Sequence, residues 1–503
     1  MMKKLFCLLL AGLMLTSAVA CSKTTEDDPK CDDGNSTQAQ TDGETEDPAY
    51  SYPLADTNYG GEKVSFLYPK NTNYQSELYS EKLGNGVVSD AVYERNVATE
   101  DKLKIKLQFN ESDDVMGDLD RDIQSGLGDF DLVNNYTYTT IGAVAEGKFL
   151  DLSNLDNIHL EKAYWTQGFS DMMTFTENNM QFLASGTMAI SMYRFMYMTL
   201  YNKTLFKDNK LPDLYDIVIA GDWTLDKQLS LSKNHYIDAD YDGNVSSGDF
   251  YGFVTGTCIS VDPYMVATGT HLIIRDSETG DLMYNVEANE KLVEVCDKIQ
   301  LLYNDASTYA YEGADGDNTN TPNIMNHFTS EKALMVTSLF VQMETNYADL
   351  APLSYGIAPM PKFDSTQTDY YSYVQDQVTC FGISSVIGEP ARQELCAAVL
   401  ETMAYYSNKL VRPAYYDTAL SERYMQDPQS KEILDLIFDT LYFDFSSTCC
   451  NMLNVQPRDS LRALLTDTKN TIASSTKTWE KTIKSNMKTL NRKFNQIAEN
   501  QAS

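Results

Sequence analysis

Seven residues in the middle of the chain have types and spacing that suit a divalent cation. They follow the pattern of a twelve-residue calcium loop: Asp238, Asp240, Asp242, Gly243, Asn244, Ser246 and Asp249. Ca²⁺ takes six to eight oxygen ligands, and alternate carboxylates on a tightly turned chain converge on one point. Asp249 is shorter than the usual final Glu, and a strand-like pattern follows it. The spacing therefore predicts a structural Ca²⁺ site, with a solvated acidic turn as the alternative.

The sequence lacks the motifs of several common catalytic chemistries. It contains no GxSxG, HExxH, GxxxxGK(S/T) or GxGxxG. The nine cysteines include no CxxC pair, and the four histidines lie far apart, so neither zinc binding nor a disulfide framework is favoured. We expect no catalytic residues, and we expect most of the thiols to be buried. A glycosidase needs only two facing carboxylates, and with 72 acidic residues that enzyme class stays open.

The amino terminus has the pattern of an export signal that ends at a lipidation site. Lys3 and Lys4 precede an apolar run over 5–20, which is too short to span a bilayer stably. Small residues then precede Cys21, as in the lipobox of bacterial lipoproteins. We predict a signal peptide over 1–20 and acyl chains such as palmitate on Cys21, which would anchor the protein at the extracellular face of the cytoplasmic membrane. The alternative is an ordinary signal peptide followed by a chance cysteine.

Composition limits the partners and the number of domains. Residues 21–57 are polar and acidic and predict a flexible linker. The rest of the chain is longer than one hydrophobic core usually serves, so two lobes and a cleft between them are expected. The formal net charge of -33 argues against nucleic acid and anionic lipid as partners. We expect a monomer that contacts the membrane through its lipid anchor only.

Strand and helix patterns alternate after the linker. Residues 64–67 have the pattern of a buried strand, Ser89 can cap a helix that runs to about Asp101, and apolar residues alternate over 105–109. This β, α, β order favours a parallel sheet and an α/β fold. Ligands of open α/β sheets lie beyond the carboxyl ends of the strands. The loops 71–74 and 134–138 are therefore the first site candidates.

Several segments, taken in order, resemble family 1 extracellular solute-binding proteins, the carbohydrate receptors of ABC importers. The resemblance covers 63–465 and includes AVYERN (91–96), AEGKFLDL within 131–152, GDWTLD (221–226), FTSEKALM (328–335), YGIAPMPK (355–362), and AYYDTAL and SKEILDLIF within 414–438. It implies a two-lobed, periplasmic-binding-protein-like α/β fold of type II. The implied lobes are 58–184 plus 360–408 and 185–359 plus 409–503, with hinge crossings near 183–186, 357–360 and 408–413.

The resemblance also implies where a solute would bind. In this family the solute lies between the lobes and aromatic rings stack on sugar faces, which suits the axial C–H groups of a pyranose. Asp262-Pro263-Tyr264 is similar to the family's acid-Pro-Tyr segment, and Phe340 stands near the position of a stacking Trp. The candidate ligand residues are Asn135, Tyr136, Tyr138, Trp165, Asp262, Tyr264 and Phe340.

These expectations together describe a receptor that does not catalyse a reaction. It would capture a sugar or oligosaccharide in an interlobe cleft and deliver it to an ABC permease. The alternatives are a surface glycoside hydrolase and a calcium-stabilised, carbohydrate-binding adhesin. Peptide or polyamine cargo also stays open.

Overall fold

The computed structural model describes residues 47–71, 77–175, 179–276, 282–312, 320–466 and 471–501. The predicted signal peptide over 1–20, Cys21, the first part of the linker and loop residues 72–74 lie outside this described part. Within it, no helix combines the length and the apolar character that crossing a membrane requires.

The strands and helices are numbered here in chain order. The strands are β1 (Lys63–Pro69), β2 (Lys106–Ser112), β3 (Leu132–Tyr136), β4 (Thr174–Phe175), β5 (Met180–Gln181), β6 (Tyr197–Asn202), β7 (Tyr251–Gly256), β8 (Ile273–Arg275), β9 (Leu282–Tyr284), β10 (Thr308–Tyr311), β11 (Ala333–Leu339), β12 (Tyr355–Ala358), β13 (Ser372–Tyr373), β14 (Thr379–Ile383) and β15 (Leu441–Tyr442). The α-helices are α1 (Val87–Leu103), α2 (Val115–Ser125), α3 (Thr137–Val144), α4 (Gln167–Met173), α5 (Ile190–Arg194), α6 (Lys203–Asp208), α7 (Leu214–Ile219), α8 (Leu225–Ser232), α9 (Asp262–Ala267), α10 (Ala288–Tyr303), α11 (Asn320–Thr329), α12 (Phe340–Thr345), α13 (Tyr347–Leu350), α14 (Pro390–Tyr406), α15 (Pro428–Asp439), α16 (Phe445–Thr448), α17 (Cys450–Leu453), α18 (Pro457–Thr466) and α19 (Ile472–Gln501). Short 3-10 helices lie at Leu152–Asn154 and Ile259–Val261, and π-helical turns at Ser407–Val411 and Pro413–Tyr424.

The first sheet has the strand order β14-β3-β1-β2. β1 is parallel to β2 and β3, whereas β14 runs antiparallel to β3. α1 and α2 connect the three parallel strands, so the β, α, β order predicted from the sequence is confirmed. β1 is buried from Val64 to Pro69, as is typical of a parallel strand whose two faces are both covered. The loops after β1, β2 and β3 therefore meet at one edge of this sheet.

The first helix begins two residues before the predicted cap at Ser89. Gly86 precedes it with φ 121°, a backbone conformation that glycine adopts without a steric penalty. The carboxylate of Asp90 accepts hydrogen bonds from the backbone N–H groups of Gly84 (2.8 Å) and Asn85 (3.1 Å). The turn before the helix is thus stabilised by Asp90, and Ser89 lies inside the first helical turn.

The second sheet is mixed and has the order β10-β7-β11-β6-β12. β7 is parallel to β10 and β11, whereas β6 runs antiparallel to β11 and β12. Every residue of β6, β7, β11 and β12 is buried, so these strands are covered on both faces. The strand predicted directly after the acidic loop is β7.

The chain passes from the first sheet to the second between β3 and β6, and it returns between β12 and β14. These passages run side by side, because antiparallel bridges join Ala184 to Phe381 and Met196 to Val374. After α14 the chain leaves the first sheet again through the π-helical turns, and α15 packs against β12. The described chain thus forms two α/β units joined by neighbouring crossing segments. The exact lobe boundaries stay a prediction.

The carboxyl-terminal helix α19 is amphipathic. Its apolar residues are buried, as the three- and four-residue spacing predicts: Trp479, Ile483, Met487, Leu490 and Phe494. The Phe494 ring stacks on Phe175 at 4.2 Å between centroids and also lies beside Phe182. Near its start, the Thr476 carbonyl accepts a hydrogen bond from the Tyr284 hydroxyl (3.4 Å). The last turns of α19 therefore contact residues that the sequence prediction places in the first lobe.

The cysteines in the described part of the chain are free thiols. Five of them are buried, namely Cys296, Cys380, Cys396, Cys449 and Cys450, whereas Cys258 is partly exposed. Burial raises the pKa of Cys380 to about 12, so this thiol is protonated and unreactive at neutral pH. The prediction of mostly buried, structural thiols is confirmed for these positions.

Candidate ligand-binding site

A cavity of about 320 Å³ lies at the carboxyl ends of β1, β2 and β3. Pro69, Ser112 and Tyr136, the last residues of these strands, contribute to its wall. Its polar and aromatic lining includes Asp113, Asp114, Asn135, Tyr136, Tyr138 and Asn451. Three of the predicted ligand residues, Asn135, Tyr136 and Tyr138, are therefore brought together at one cavity by the edge of the parallel sheet.

The Asn135 amide has an unused acceptor inside this cavity wall. The side chain is 3% exposed, and its Nδ2 donates a hydrogen bond to Thr139 Oγ1 (3.0 Å). Among the described residues Oδ1 has no hydrogen-bond partner. A buried amide oxygen without a partner costs roughly 1–3 kcal/mol, and native proteins rarely tolerate it without a ligand or an ordered water. Asn135 Oδ1 is thus an unsatisfied acceptor on a residue that lines the cavity.

Two arginines on α18 lie next to this cavity. The Arg458 guanidinium lies over the Tyr138 ring, 5.1 Å from its centroid, and forms an ion pair with Asp376. Arg462, one turn later on the same helix face, donates from Nε to Asp262 Oδ1 (2.8 Å). Asp376 and Asp262 are buried. The predicted ligand residue Asp262 is therefore held in an ion pair, and α18 connects segments that belong to both α/β units.

Both arginines remain charged in this setting. Burial lowers the pKa of an arginine, but the carboxylate of Asp376 outweighs this effect and raises the pKa of Arg458 above its ordinary value. The same balance with Asp262 raises the pKa of Arg462. Arg458 Nε is buried and has no hydrogen-bond partner among the described residues. It offers a donor close to the Tyr138 ring.

The structure places the other three predicted ligand residues in the protein core. Trp165, Tyr264 and Phe340 are fully buried. Trp165 Nε1 donates to Glu401 Oε2 (2.9 Å). The Tyr264 hydroxyl donates to Gln228 Oε1 (3.2 Å), and Phe340 packs against the Phe438 ring. The polar groups of Trp165 and Tyr264 are satisfied inside the protein, and none of the three residues is among those that line this cavity.

The sequence analysis missed several residues that the structure brings to this site. Asp113 and Asp114 follow β2, so the strand-end rule would have found them had it been applied to that strand. Arg458 has no comparable local signal, because its partner Asp376 lies 82 residues away in sequence. Only tertiary packing brings Arg458 and Asp376 together.

The predicted calcium loop lies between α8 and β7. One carboxylate oxygen from each of Asp238, Asp240 and Asp242 lies within 4.8 Å of the others. Gly243 has φ 76°, which a glycine adopts readily, and its N–H donates to Asp238 Oδ2 (3.0 Å). Asp238 Oδ1 is buried and has no hydrogen-bond partner among the described residues. Three of the predicted ligands thus converge around an unused carboxylate oxygen.

The remaining predicted ligands take part in the hydrogen bonds of the loop. Asp249 is buried, and its carboxylate accepts from the N–H groups of Ser246 (2.9 Å) and Ala239 (3.1 Å). The Asn244 N–H donates to Asp242 Oδ1 (2.7 Å), and Ser246 Oγ accepts from the Gly248 N–H (2.9 Å). Asp249 is outside the group of converging carboxylates, and each of its oxygens accepts a backbone hydrogen bond.

Repulsion among these carboxylates affects Asp240. The Asp242 N–H lowers the pKa of Asp240 by donating a hydrogen bond, but partial desolvation and the neighbouring carboxylates of Asp242, Asp249 and Asp238 outweigh it, so the pKa is raised. A bound divalent cation would relieve this repulsion. The group can therefore hold a hard cation through oxygen ligands.

Comparisons with known proteins identify the fold. No protein-family model matches the chain. No curated protein matches it either. Solved structures do match, over most of the chain. A sugar transporter from Rhizobium etli in an open conformation has a TM-score of 0.55 at 15% identity, over 84% of this chain and 99% of that one.

Two further solved structures carry bound sugars. The galacto-N-biose/lacto-N-biose I-binding protein of an ABC transporter from Bifidobacterium longum, in complex with lacto-N-biose, has a TM-score of 0.54 at 12% identity, covering 86% of this chain and 98% of that one. A cyclo/maltodextrin-binding protein with maltotetraose has a TM-score of 0.52 at 14% identity, covering 86% and 97%. The chain therefore has the two-lobed α/β fold of the solute-binding proteins of ABC importers, and the fold class predicted from the sequence is confirmed.

Proposed function

We propose that this protein is an extracellular receptor that binds a sugar or oligosaccharide and delivers it to an ABC permease, without catalysis. The observation that carries the proposal is the cavity at the strand ends, where Asn135 Oδ1 is buried without a partner beside Tyr136 and Tyr138. Solved structures with the same fold hold lacto-N-biose or maltotetraose. The cavity also lies near α18, which touches segments of both α/β units.

The chemistry of the lining suits a saccharide. Tyrosine rings present an apolar face to the C–H groups of a pyranose and a hydroxyl to its polar rim. Carboxylates such as Asp113 and Asp114 accept hydrogen bonds from sugar hydroxyls, and the Asn135 oxygen supplies a further acceptor. A few polar groups that converge on a small cavity are typical of a site that recognises one class of small molecule.

The proposal is tested with the purified protein and a panel of mono- and oligosaccharides. A receptor raises its melting temperature with a specific saccharide in excess and returns that saccharide unaltered. Chromatography of the recovered ligand distinguishes this outcome from hydrolysis, because a glycoside hydrolase would release new reducing ends. Binding only to insoluble polymer or to cells, with no soluble ligand, would support the adhesin instead.

We also propose that Cys21 carries the membrane anchor after removal of residues 1–20. The apolar run followed by small residues and Cys21 supports this proposal. A Cys21→Ser variant should lose incorporation of labelled palmitate and appear in the culture medium. The matched control is Cys31→Ser, in the same polar segment, which should stay with the membrane. Retention of the Cys21→Ser variant would contradict the anchor.

We further propose a structural Ca²⁺ in the loop 238–249. The buried, unpartnered Asp238 Oδ1 and its two neighbouring carboxylates support it. Sites of this kind outside cells function with dissociation constants of about 10⁻⁴ to 10⁻³ M. Bound Ca²⁺ would stabilise the turn that leads into β7 rather than take part in ligand binding.

A further inference from the structure

The charges around the cavity indicate which saccharides it can accept. Two aspartates, Asp113 and Asp114, and no lysine or arginine are among the described residues that line it. Both aspartates are exposed, and neither forms an ion pair with a residue in the described part of the chain. Asp114 accepts a hydrogen bond from the Gly117 N–H (3.1 Å) at the start of α2, which leaves its second oxygen free to meet a ligand.

The two arginines beside the cavity are already neutralised. Arg458 is paired with Asp376, and Arg462 with Asp262. Each side chain is mostly buried, so each pair interacts across a medium that screens less than water does. The Arg458 guanidinium lies over the uncharged Tyr138 ring and has one N–H without a partner among the described residues. Its positive charge is compensated by Asp376.

We infer that the cavity selects uncharged saccharides and excludes those that carry a carboxylate, such as uronic acids and sialylated sugars. The unpaired charges in the lining are negative, and an acidic sugar would have to place its carboxylate beside them with no lysine or arginine among the described lining residues. The hydroxyls of a neutral sugar instead donate to Asp113, Asp114 and Asn135 Oδ1. This inference rests on the proposed receptor function and adds the charge class of its ligand.

The test compares matched neutral and acidic saccharides by calorimetry and thermal shift. Glucose with glucuronate, and galactobiose with digalacturonate, differ mainly in the carboxylate at C6. We expect each acidic member to bind at least about tenfold more weakly than its neutral counterpart. The difference should shrink as salt rises from 20 mM to 500 mM, because salt screens repulsion at an exposed site.

Two variants separate charge from shape. Asp113→Asn combined with Asp114→Asn removes both negative charges while keeping amide acceptors, and asparagine still caps α2. We expect it to reduce the discrimination against acidic sugars by about tenfold. Asp101→Asn combined with Asp208→Asn is the control, since it changes the net charge equally at two exposed positions outside the cavity. Asp376→Asn removes the carboxylate that compensates Arg458. It should therefore also reduce the discrimination against acidic sugars.

The outcomes test the charge selectivity separately from the proposed receptor function on which it rests. Equal or tighter binding of the acidic members by the natural protein would overturn the inference while leaving the receptor function intact. An unchanged preference in the Asp113→Asn, Asp114→Asn variant would overturn it as well, whether or not the Asp376→Asn variant folds. Failure to bind any saccharide of either kind would instead contradict the proposed function.

Discussion

The surroundings of Asn135 lower the stability of the folded protein without ligand, and a bound ligand would restore this stability. Its Nδ2 is bonded to Thr139, yet its Oδ1 is buried without a partner among the described residues. An unpaired acceptor lowers stability, whereas a hydrogen bond from a ligand hydroxyl would replace the lost hydration. Asn135 should therefore contribute much to binding and little to folding.

An Asn135→Ala variant tests this division of roles. We expect saccharide affinity to fall by about tenfold or more, because the acceptor is lost, while the melting temperature of the free protein changes little. Asn304→Ala is the control, since Asn304 is exposed at the end of α10. Isothermal titration calorimetry and calorimetric melting give both quantities. A large loss of stability with unchanged affinity would assign Asn135 to the core instead.

Glu401 shows the opposite case, in which a buried carboxylate is fully used inside the protein. Its oxygens accept from Trp165 Nε1 (2.9 Å), the His159 N–H (3.0 Å) and the Tyr164 hydroxyl. Burial raises the pKa of Glu401, and these hydrogen bonds offset only part of the effect. Trp165 is thereby fixed in the core, which explains why this aromatic residue does not reach the cavity.

Substitutions of Glu401 have distinguishable effects on stability. Glu401→Ala leaves the N–H of Trp165 and the hydroxyl of Tyr164 unpaired beside a new cavity, so the free energy of unfolding should fall by about 2–5 kcal/mol. Glu401→Gln keeps an acceptor for Trp165 and His159 and a donor toward Tyr164, so it should cost much less. Glu432→Gln, at an exposed position of α15, is the control.

The pH dependence of Glu401→Gln follows from the raised pKa. The folded protein holds this proton more tightly than the unfolded chain, whose glutamates titrate near about 4.3. The contribution of Glu401 to the free energy of unfolding therefore falls as the pH rises from that value through the folded pKa. The melting temperature of the variant, relative to the natural protein, should rise between pH 4 and pH 7. A constant difference across this range would contradict the raised pKa.

At the scale of elements, short segments with local hydrogen bonds behave as their sequence predicts. The acidic loop turns at Gly243, converges three carboxylates and leads directly into β7. Its geometry depends on neighbours a few residues apart. The placement of α18 is different, because Arg458 and Arg462 meet partners from distant segments, and this helix then determines the charge balance beside the cavity.

Removal of Ca²⁺ tests the loop as an element. We expect EGTA to lower the melting temperature by several degrees, and added Ca²⁺ to restore it, because a cation that binds the folded state stabilises it. Asp240→Asn should weaken this response, whereas Asp349→Asn, at an exposed position on α13, should leave it unchanged. Absence of calcium in metal analysis together with an unaltered melting temperature would remove the proposed site.

At the scale of the whole molecule, the two sheets are separate in their strand pairing and are joined by adjacent crossing segments. Such an arrangement permits hinge motion, because a few residues in the crossings can absorb the change in backbone angles. α18 contacts residues of both units, and the last turns of α19 pack on Phe175 and Phe182. These contacts would limit how far the units can separate.

Ligand binding should therefore shift the population of the whole molecule toward a closed form. We expect a smaller radius of gyration in X-ray scattering with a saturating saccharide, and a gain of about 2.7 kcal/mol in the free energy of unfolding at a hundredfold excess over the dissociation constant. A mannitol solution of equal osmolality is the control. Tight binding with an unchanged radius of gyration would argue against closure.

The sequence by itself determined those features that depend on neighbours along the chain. The alternation of strands and helices, the loop that carries Asn135, Tyr136 and Tyr138, and the convergence of Asp238, Asp240 and Asp242 all follow from local spacing. Hydrophobic periodicity and turn geometry act over a few residues, so they can be recognised without the fold.

Only the tertiary structure decided which aromatic and charged residues face the cavity. Trp165, Tyr264 and Phe340 have side chains that suit a sugar or a core equally well, and their packing places them in the core. Arg462 meets Asp262 across 200 residues of chain, and no local pattern encodes that pairing. Contacts between distant segments arise when whole elements pack together, and this is the physical reason why the site's charge balance could not be predicted from the sequence.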